Sequence, residues 1–350
     1  MTIDINSLLR ENIKNLTPYS SARDEFQGEA SVFLDANENS FGSPLDTAYN
    51  RYPDPLQWKL KEKISTIKGV PPQNIFIGNG SDEAIDILFR AFCNPGVDNV
   101  IIVPPTYGMY EVSANINDIA IKKVNLLPDF QLDLEGIAEA IDKNTKMIFI
   151  CSPNNPTGNS INRQDIETVL SNFPGLVVID EAYINFSRQK TFIQELTEYS
   201  NLVVLQTLSK AWGLAALRIG MAFACGDIID VYNKVKPPYN ISQATQELAL
   251  EALNNIQQVN EWIRETVQQR AILAEELADI SIVEKVYPSD ANFILAKIKY
   301  ADYLYDFLVD RGIIVRNRSK VVLCQDSLRI TVGTPEENDI LIKTIKEFVI

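Results

Sequence analysis

The stretch LVVLQTLSKAWGLAALRIG, residues 202–220, decides how this chain folds. Leu202 to Gln206 is a continuous apolar run, the pattern of a strand buried on both faces of a sheet. The link Thr207-Leu208 then carries the chain to Ser209 and Lys210. A lysine just past a buried strand sits at the sheet's carboxyl edge, where ligands collect in open α/β folds. Most lysines are solvated surface charges. One that is desolvated, or set beside other cations, becomes a neutral amine able to form a Schiff base. Arg218, with the hydroxyls of Thr207 and Ser209, supplies groups that hold a phosphate.

Working outward, short apolar runs alternate with helical stretches. Strands are expected at Asn74 to Gly78, Val100 to Val103, Ile119 to Val124, Lys146 to Cys151, Leu176 to Asp180 and Ile219 to Ala224. Runs of this kind with helices between them predict an α/β fold with a mainly parallel sheet. Gln243 to Ile280 is long and charged and reads as one connecting helix. Beyond it, Asn292 to Lys297, Ile313 to Arg316 and Ser327 to Val332 read as strands, with helices at Asp302 to Arg311 and at the C-terminus. That is the α+β pattern of a second, smaller domain. The first ~30 residues are polar and weakly periodic, as in an arm or a short helix with a loop.

The composition narrows the chemistry. Of 350 residues, 46 are acidic and 32 basic, a net charge of −14. Nucleic acids and anionic membranes need a basic face, so both partners are disfavoured. The 46% apolar content suits a globular core. The four cysteines, Cys93, Cys151, Cys225 and Cys324, lack the spacing of a zinc site or a disulfide framework. They fit a reducing cytoplasm. The opening residues carry Asp4, Arg10, Glu11 and Lys14 without the apolar segment of a signal peptide. The chain has no histidine. That removes Ser–His and Cys–His nucleophiles, histidine-ligated metals and every imidazole base. No metal is expected, and proton transfer falls to Lys, Tyr, Asp, Glu, Cys or a cofactor.

Three further motifs stand at predicted strand ends. VVIDEAY, residues 177–183, puts Asp180 at the end of an apolar strand, a costly place for a charge without a partner. A protonated pyridine nitrogen is one such partner; a metal or a Walker-B role is another. The Walker-A pattern that a nucleotide site needs is absent from the sequence. SPNNPTG, residues 152–158, is a rigid turn after the strand KMIFIC, and its amides can meet a ring oxygen. X–Pro bonds there tolerate a cis form. GNGSDEA, residues 78–84, joins a strand to a helix and leaves backbone N–H groups to cradle a phosphate, or simply caps the helix.

Together the four motifs resemble the fold-type-I aminotransferases that use pyridoxal phosphate. LDANENSFG (34–42), RYPDP (51–55), PPTYGMY (104–110) and SLRITVGT (327–334) resemble the histidinol-phosphate branch of that family. Ser40 departs from it, since that branch often has proline after NEN. The resemblance runs from about Leu34 to Thr334. It implies a large domain over residues 36–250 with a central, mostly parallel seven-stranded sheet. A small α+β domain, residues 251–350, and an arm, residues 1–35, would complete the chain. Transamination between L-histidinol phosphate with 2-oxoglutarate and imidazole-acetol phosphate with L-glutamate is the implied reaction.

The resemblance also implies roles. Lys210 binds pyridoxal 5′-phosphate covalently and later moves the proton. Asp180 pairs with the ring nitrogen, Asn155 and Tyr183 meet the ring's 3′-oxygen, and Tyr107 stacks on the ring. Gly80, Ser81, Asp82, Thr207, Ser209 and Arg218 surround the cofactor phosphate, joined by Tyr52 of a neighbouring subunit in a homodimer. Arg329 takes the substrate's anionic end, with Arg316, Tyr19 and Asn37 as helpers.

Two enzymatic alternatives share these features: an aromatic amino acid aminotransferase, and a pyridoxal-phosphate decarboxylase of a phosphorylated amino acid. A ligand-sensing module of a transcription regulator would carry a basic DNA-binding domain, for which this chain has no room.

Overall fold

The computed structural model describes residues 3–19 and 31–348. Its main sheet has seven strands: β1 Ile75–Asn79, β2 Asn99–Ile102, β3 Ala120–Lys123, β4 Thr145–Cys151, β5 Leu176–Asp180, β6 Leu202–Thr207 and β7 Ile219–Ala224. They lie in the order β1-β7-β6-β5-β4-β2-β3. β2 pairs parallel with β3 and β4, and β4–β5 and β5–β6 are also parallel. β7 runs against both its neighbours, β6 and β1. The expected seven-stranded, mostly parallel sheet is therefore present, as in fold-type-I transferases.

Both faces of the sheet are buried over its inner strands, which is why these are mostly apolar, while the edge strand β3 (AIKK) is largely open to solvent. Successive side chains point to opposite faces. Val177 and Ile179 join one core cluster; Leu176 and Val178 join the other. The first layer is covered by Leu60 and Ile64 of the helix Trp58–Lys68 and by Ile166, Val169 and Leu170 of Arg163–Asn172. The second is covered by Ile85, Leu88 and Phe92 of Ser81–Phe92 and by Ile228 and Tyr232 of Gly226–Val235. The N-terminal segment forms two short helices, Ile5–Leu8 and Glu11–Lys14. Ile5, Leu9 and Ile13 pack into that second layer.

The smaller unit is a four-stranded antiparallel sheet in the order β10-β11-β9-β8. Its strands are β8 Val283–Val286, β9 Phe293–Ile298, β10 Arg316–Asn317 and β11 Ser327–Thr331. Leu273, Leu277, Leu304, Leu308, Ile342 and Ile345 fill the core behind it.

Three local readings change. Gln243 to Ile280 is two helices, Gln243–Ala252 and Ile256–Ala278, parted at Asn254-Asn255. Asparagine side chains compete for backbone hydrogen bonds and weaken a helix interior. β10 is only two residues long and starts at Arg316, because the Ile313 N–H is still held by Leu308 O of the preceding helix at 2.9 Å. β8 went unforeseen: it is an edge strand whose middle residues, Glu284 and Lys285, face solvent.

Candidate active site

In a parallel sheet the strands' carboxyl ends share one edge, and here they bring the motifs together. Asp180 ends β5 beside its register partner Cys151 at the end of β4. Thr207 ends β6 two residues before Ser209, and Asn79 ends β1 just before Gly80. One cleft is lined by Gly80, Ser81, Asp82, Tyr107, Cys151, Asn155, Asp180, Ala182, Tyr183, Thr207, Ser209, Lys210 and Arg218. Apart from Cys151 and Ala182, each of these is a residue singled out in the sequence.

The floor of the cleft is fixed by hydrogen bonds. Asp180 is 3% exposed. Burying an ionised carboxylate alone costs several kcal/mol, so it needs donors. The Tyr110 hydroxyl donates to Oδ2 at 2.7 Å and the Ala182 N–H to Oδ1 at 3.0 Å. Burial still pushes the Asp180 carboxyl above its ordinary range, against the pull of those two bonds. Its neighbour Glu181 points the other way and is satisfied by Thr191, Phe192 N–H and Gln206, so it serves the fold.

Lys210 Nζ lies 5.7 Å from the centroid of the Tyr183 ring. Its residue surface remains open to the cleft, yet the walls strip part of its hydration. That burial, with the charges of Arg329 and Arg218, lowers its affinity for a proton; Asp180 and Asp82 oppose them. This is the environment that turns an ammonium into a nucleophile. Asn155 is held in the turn after β4, where Ser152-Pro153 and Asn155-Pro156 are both cis. Its Nδ2 donates to the Tyr183 hydroxyl at 3.4 Å, and its Oδ1 accepts from Arg329 Nη1. Tyr107 is anchored by donating to Asp82 Oδ1 at 3.1 Å.

At the other end is an anion cradle. Gly80 has φ +75°, and a Cβ there would lie 2.5 Å from Arg218 Nη2. Gly220 on β7 admits the same turn, since its Cβ would sit 2.1 Å from the Ser81 nitrogen. Only glycine allows that approach of backbone to guanidinium. The first-turn N–H groups of the helix Ser81–Phe92 have no intrahelical acceptors. Two expected donors are already engaged. The Gly80 N–H donates to Arg218 O at 2.8 Å, and the Thr207 hydroxyl donates to Ile219 O at 3.1 Å. Arg218 is partly engaged too, its Nη1 donating to Ala215 O at 3.3 Å and its Nη2 lying 3.7 Å from Asp82 Oδ2, which leaves the N–H groups from Ser81 onward, the Ser209 hydroxyl and the rest of the Arg218 guanidinium. That set, with a nucleophilic amine and a carboxylate at the far side, matches a phosphorylated pyridine aldehyde.

Arg329 reaches the cleft from the small sheet, stacked 5.2 Å from the Phe293 ring centroid. Arg316 is its register partner on β10 and is exposed. Tyr52 and Asn37 belong to a different cavity of about 490 Å³, also lined by Tyr239. Tyr19 is 74% exposed and stands elsewhere again, with Pro55 and Lys236. None of these three lines the cleft of its own chain. Sequence reading missed Tyr110, the second tyrosine of PPTYGMY. Tyr110 lies in the first turn of the helix Met109–Ile116 and Tyr107 just before it, and the two rings meet edge to face at 5.6 Å; nothing in the sequence pattern set Tyr110 apart from a core aromatic.

Comparisons with known proteins agree with this geometry. The family description "Aminotransferase class I and II" matches residues 34–345. The histidinol-phosphate aminotransferase of Parabacteroides distasonis is 55% identical, covering 98% of each chain. That of Cytophaga hutchinsonii is 52% identical over 99% of this chain and 100% of its own. Among solved structures, the histidinol-phosphate aminotransferase of Sinorhizobium meliloti, in complex with pyridoxal 5′-phosphate, superimposes with a TM-score of 0.78. It is 24% identical and covers 89% of each chain, so it speaks for the fold. With the lysine, aspartate and anion cradle of one sheet edge inside the matched region, this chain belongs to the aminotransferase class I and II family.

Proposed function

We propose that the protein is a pyridoxal 5′-phosphate-dependent aminotransferase. It converts L-histidinol phosphate and 2-oxoglutarate to imidazole-acetol phosphate and L-glutamate, reversibly, in histidine biosynthesis. The observation that carries the chemistry is that Lys210, Asp180 and Arg218 line one cleft, close enough for both charges to act on the lysine. The substrate rests on near full-length similarity to enzymes of that name.

The cofactor, once bound, withdraws electrons from the carbon that bears the substrate's amine. The chain does the rest. Arg218, Ser209 and the N–H groups from Ser81 hold the phosphate at the helix N-terminus. Asp180 accepts the ring nitrogen's proton in a hydrogen bond. Asn155 and Tyr183 fix the 3′-oxygen, and the Tyr107 ring covers one face. Lys210 would anchor the cofactor and would carry the proton at the substrate's reacting carbon. Arg329 receives the carboxylate of glutamate or the phosphate of histidinol phosphate, with Arg316 at the rim.

Residues 36–250 form the cofactor domain in this reading, with residues 1–35 as an N-terminal arm and 251–350 as the small domain. The working unit is a homodimer in the cytoplasm. In support, residues 32–52 expose Val32, Leu34, Phe41, Leu45 and Tyr52, an apolar surface of the kind that marks an interface. Tyr52 serves the partner's cofactor site, and Tyr19 and Asn37 help bind the substrate. The four cysteines are unpaired, as in a reducing compartment.

The test is a half-reaction. Holoenzyme is mixed with L-histidinol phosphate, phenylalanine or tyrosine, and the visible absorbance of the cofactor is followed. Rapid bleaching by histidinol phosphate alone is expected. Bleaching by the aromatic amino acids instead overturns the substrate and keeps the aminotransferase.

A further inference from the structure

One buried group beside the cofactor site takes no direct part in the reaction. Tyr110 is 0% exposed, on the helix Met109–Ile116. Its ring stacks on Phe149 at 4.9 Å and meets the edge of Tyr107 at 5.6 Å and 84°. Its hydroxyl donates to Asp180 Oδ2 at 2.7 Å. A phenol used for packing alone would be a phenylalanine, because burying a hydroxyl has a cost that a hydrogen bond only offsets. Here the bond goes to a carboxylate that the cofactor reading assigns to the ring nitrogen. The same ring also braces the tyrosine that would cover the cofactor's face.

We infer that Tyr110 is a positioning residue, which hydrogen-bonds Asp180 and aims it at the cofactor's ring nitrogen while seating Tyr107 over the ring. This rests on the pyridoxal phosphate reading. A hydrogen bond donated to a carboxylate lowers its proton affinity. Asp180 is fully buried, and the N–H of Ala182 is its other donor. Burial holds the Tyr110 hydroxyl well above its ordinary pKa, so it stays protonated and acts as a donor. The arrangement also fixes the carboxylate's direction. Oδ1 is tied to the backbone of Ala182 and Oδ2 to Tyr110, so the remaining lone pairs set where a ring nitrogen can bind.

Tyr110→Phe keeps the ring and both aromatic contacts and removes one oxygen. It is measured against wild type with two cofactors: pyridoxal phosphate, and its analogue with carbon in place of the ring nitrogen. The variant should lose about tenfold in affinity for pyridoxal phosphate, the scale of one hydrogen bond to a charged group. Its affinity for the carbon analogue should stay within about twofold, since that ring offers Asp180 no proton. The pH midpoint of the bound cofactor's absorbance should rise by about half a unit or more, because Asp180 becomes more basic and draws the shared proton from the ring.

Equal losses for both cofactors would reduce Tyr110 to a packing residue, and unchanged affinity for both would remove it from the site. Wild-type chain that binds neither cofactor overturns the underlying reading instead. Should Tyr110→Phe fail to fold, replacing Tyr110 with 3-fluorotyrosine keeps the shape and makes the phenol more acidic. The absorbance midpoint should then move down, and an unmoved midpoint overturns the inference.

Discussion

The floor of the cleft and its rim are built differently. On the floor, Asp180, Asn155 and Tyr110 are buried and each makes a specific hydrogen bond within the chain. On the rim, Arg316 is exposed, and Tyr19, Asn37 and Tyr52 line other cavities. The floor is preorganised by one chain, as groups that stabilise developing charge must be. In the homodimer reading, a second chain or a substrate completes the rim. A site of this kind divides its work: chemistry sits on rigid strand ends, and selection sits on parts that meet late.

The largest expected effect falls on the floor. Lys210→Ala should lower turnover by roughly 1,000-fold or more, the scale of losing a positioned proton-transfer group. The protein should still bind the cofactor phosphate, because Arg218, Ser209 and the helix N-terminus remain. Steady-state rates with 2-oxoglutarate as acceptor measure the first point and equilibrium dialysis the second. Substantial turnover by this variant would end the division of labour, since the chemistry would then lie elsewhere.

Arg329 sharpens the comparison because it belongs to both regions. It comes from β11 of the small sheet, yet donates to Asn155 on the floor. Arg329→Gln should raise KM for glutamate and for the phosphorylated amine by about 10- to 100-fold, the value of charged hydrogen bonds. Arg329→Lys should recover little, because an ammonium lacks the planar fork that grips a carboxylate or phosphate. A fall in cofactor affinity with KM unchanged would instead assign Arg329 to the floor, through Asn155.

Much of the floor was legible in the sequence, for a physical reason. Buried parallel strands must be apolar along their whole length, so IFIG, KMIFIC, LVVID and LVVLQ announced themselves. Residues just past a strand's carboxyl end in such a sheet lie at the shared edge by topology alone. That put Asp180, Asn155, Ser81 and Lys210 in one place without knowing their distances. Finer placements were hidden. The reversed direction of β7 leaves no mark on composition, because a strand buried on both faces is apolar either way. β8 escaped because an edge strand with Glu284 and Lys285 outward lacks the apolar run. The donor counts at Gly80 and Thr207 depend on which carbonyls come near, and Tyr110 looked like one more core aromatic. The rim was legible only through resemblance, since no single chain's pattern encodes what a partner completes.

The smallest effect is the one that tests the rim most directly. Tyr52 is 51% exposed and stacks on Tyr239 at 4.5 Å, away from the cleft of its own chain. If its hydroxyl donates to the cofactor phosphate of a partner, Tyr52→Phe should weaken cofactor retention by about tenfold or less, one charged hydrogen bond in a partly open setting. Affinity alone cannot say which chain's site is affected, but mixed dimers can. Chains carrying Tyr52→Phe are refolded with an excess of chains carrying Lys210→Ala. In each mixed dimer the single site with a lysine then faces a partner that still has Tyr52. Crossing between subunits predicts that this site binds the cofactor as tightly as wild type. Action within one chain predicts that it stays as weak as the Tyr52→Phe parent, because the lysine and the phenylalanine travel together. The cofactor concentration at half-maximal activity separates the two, since Lys210→Ala homodimers contribute no turnover to the signal.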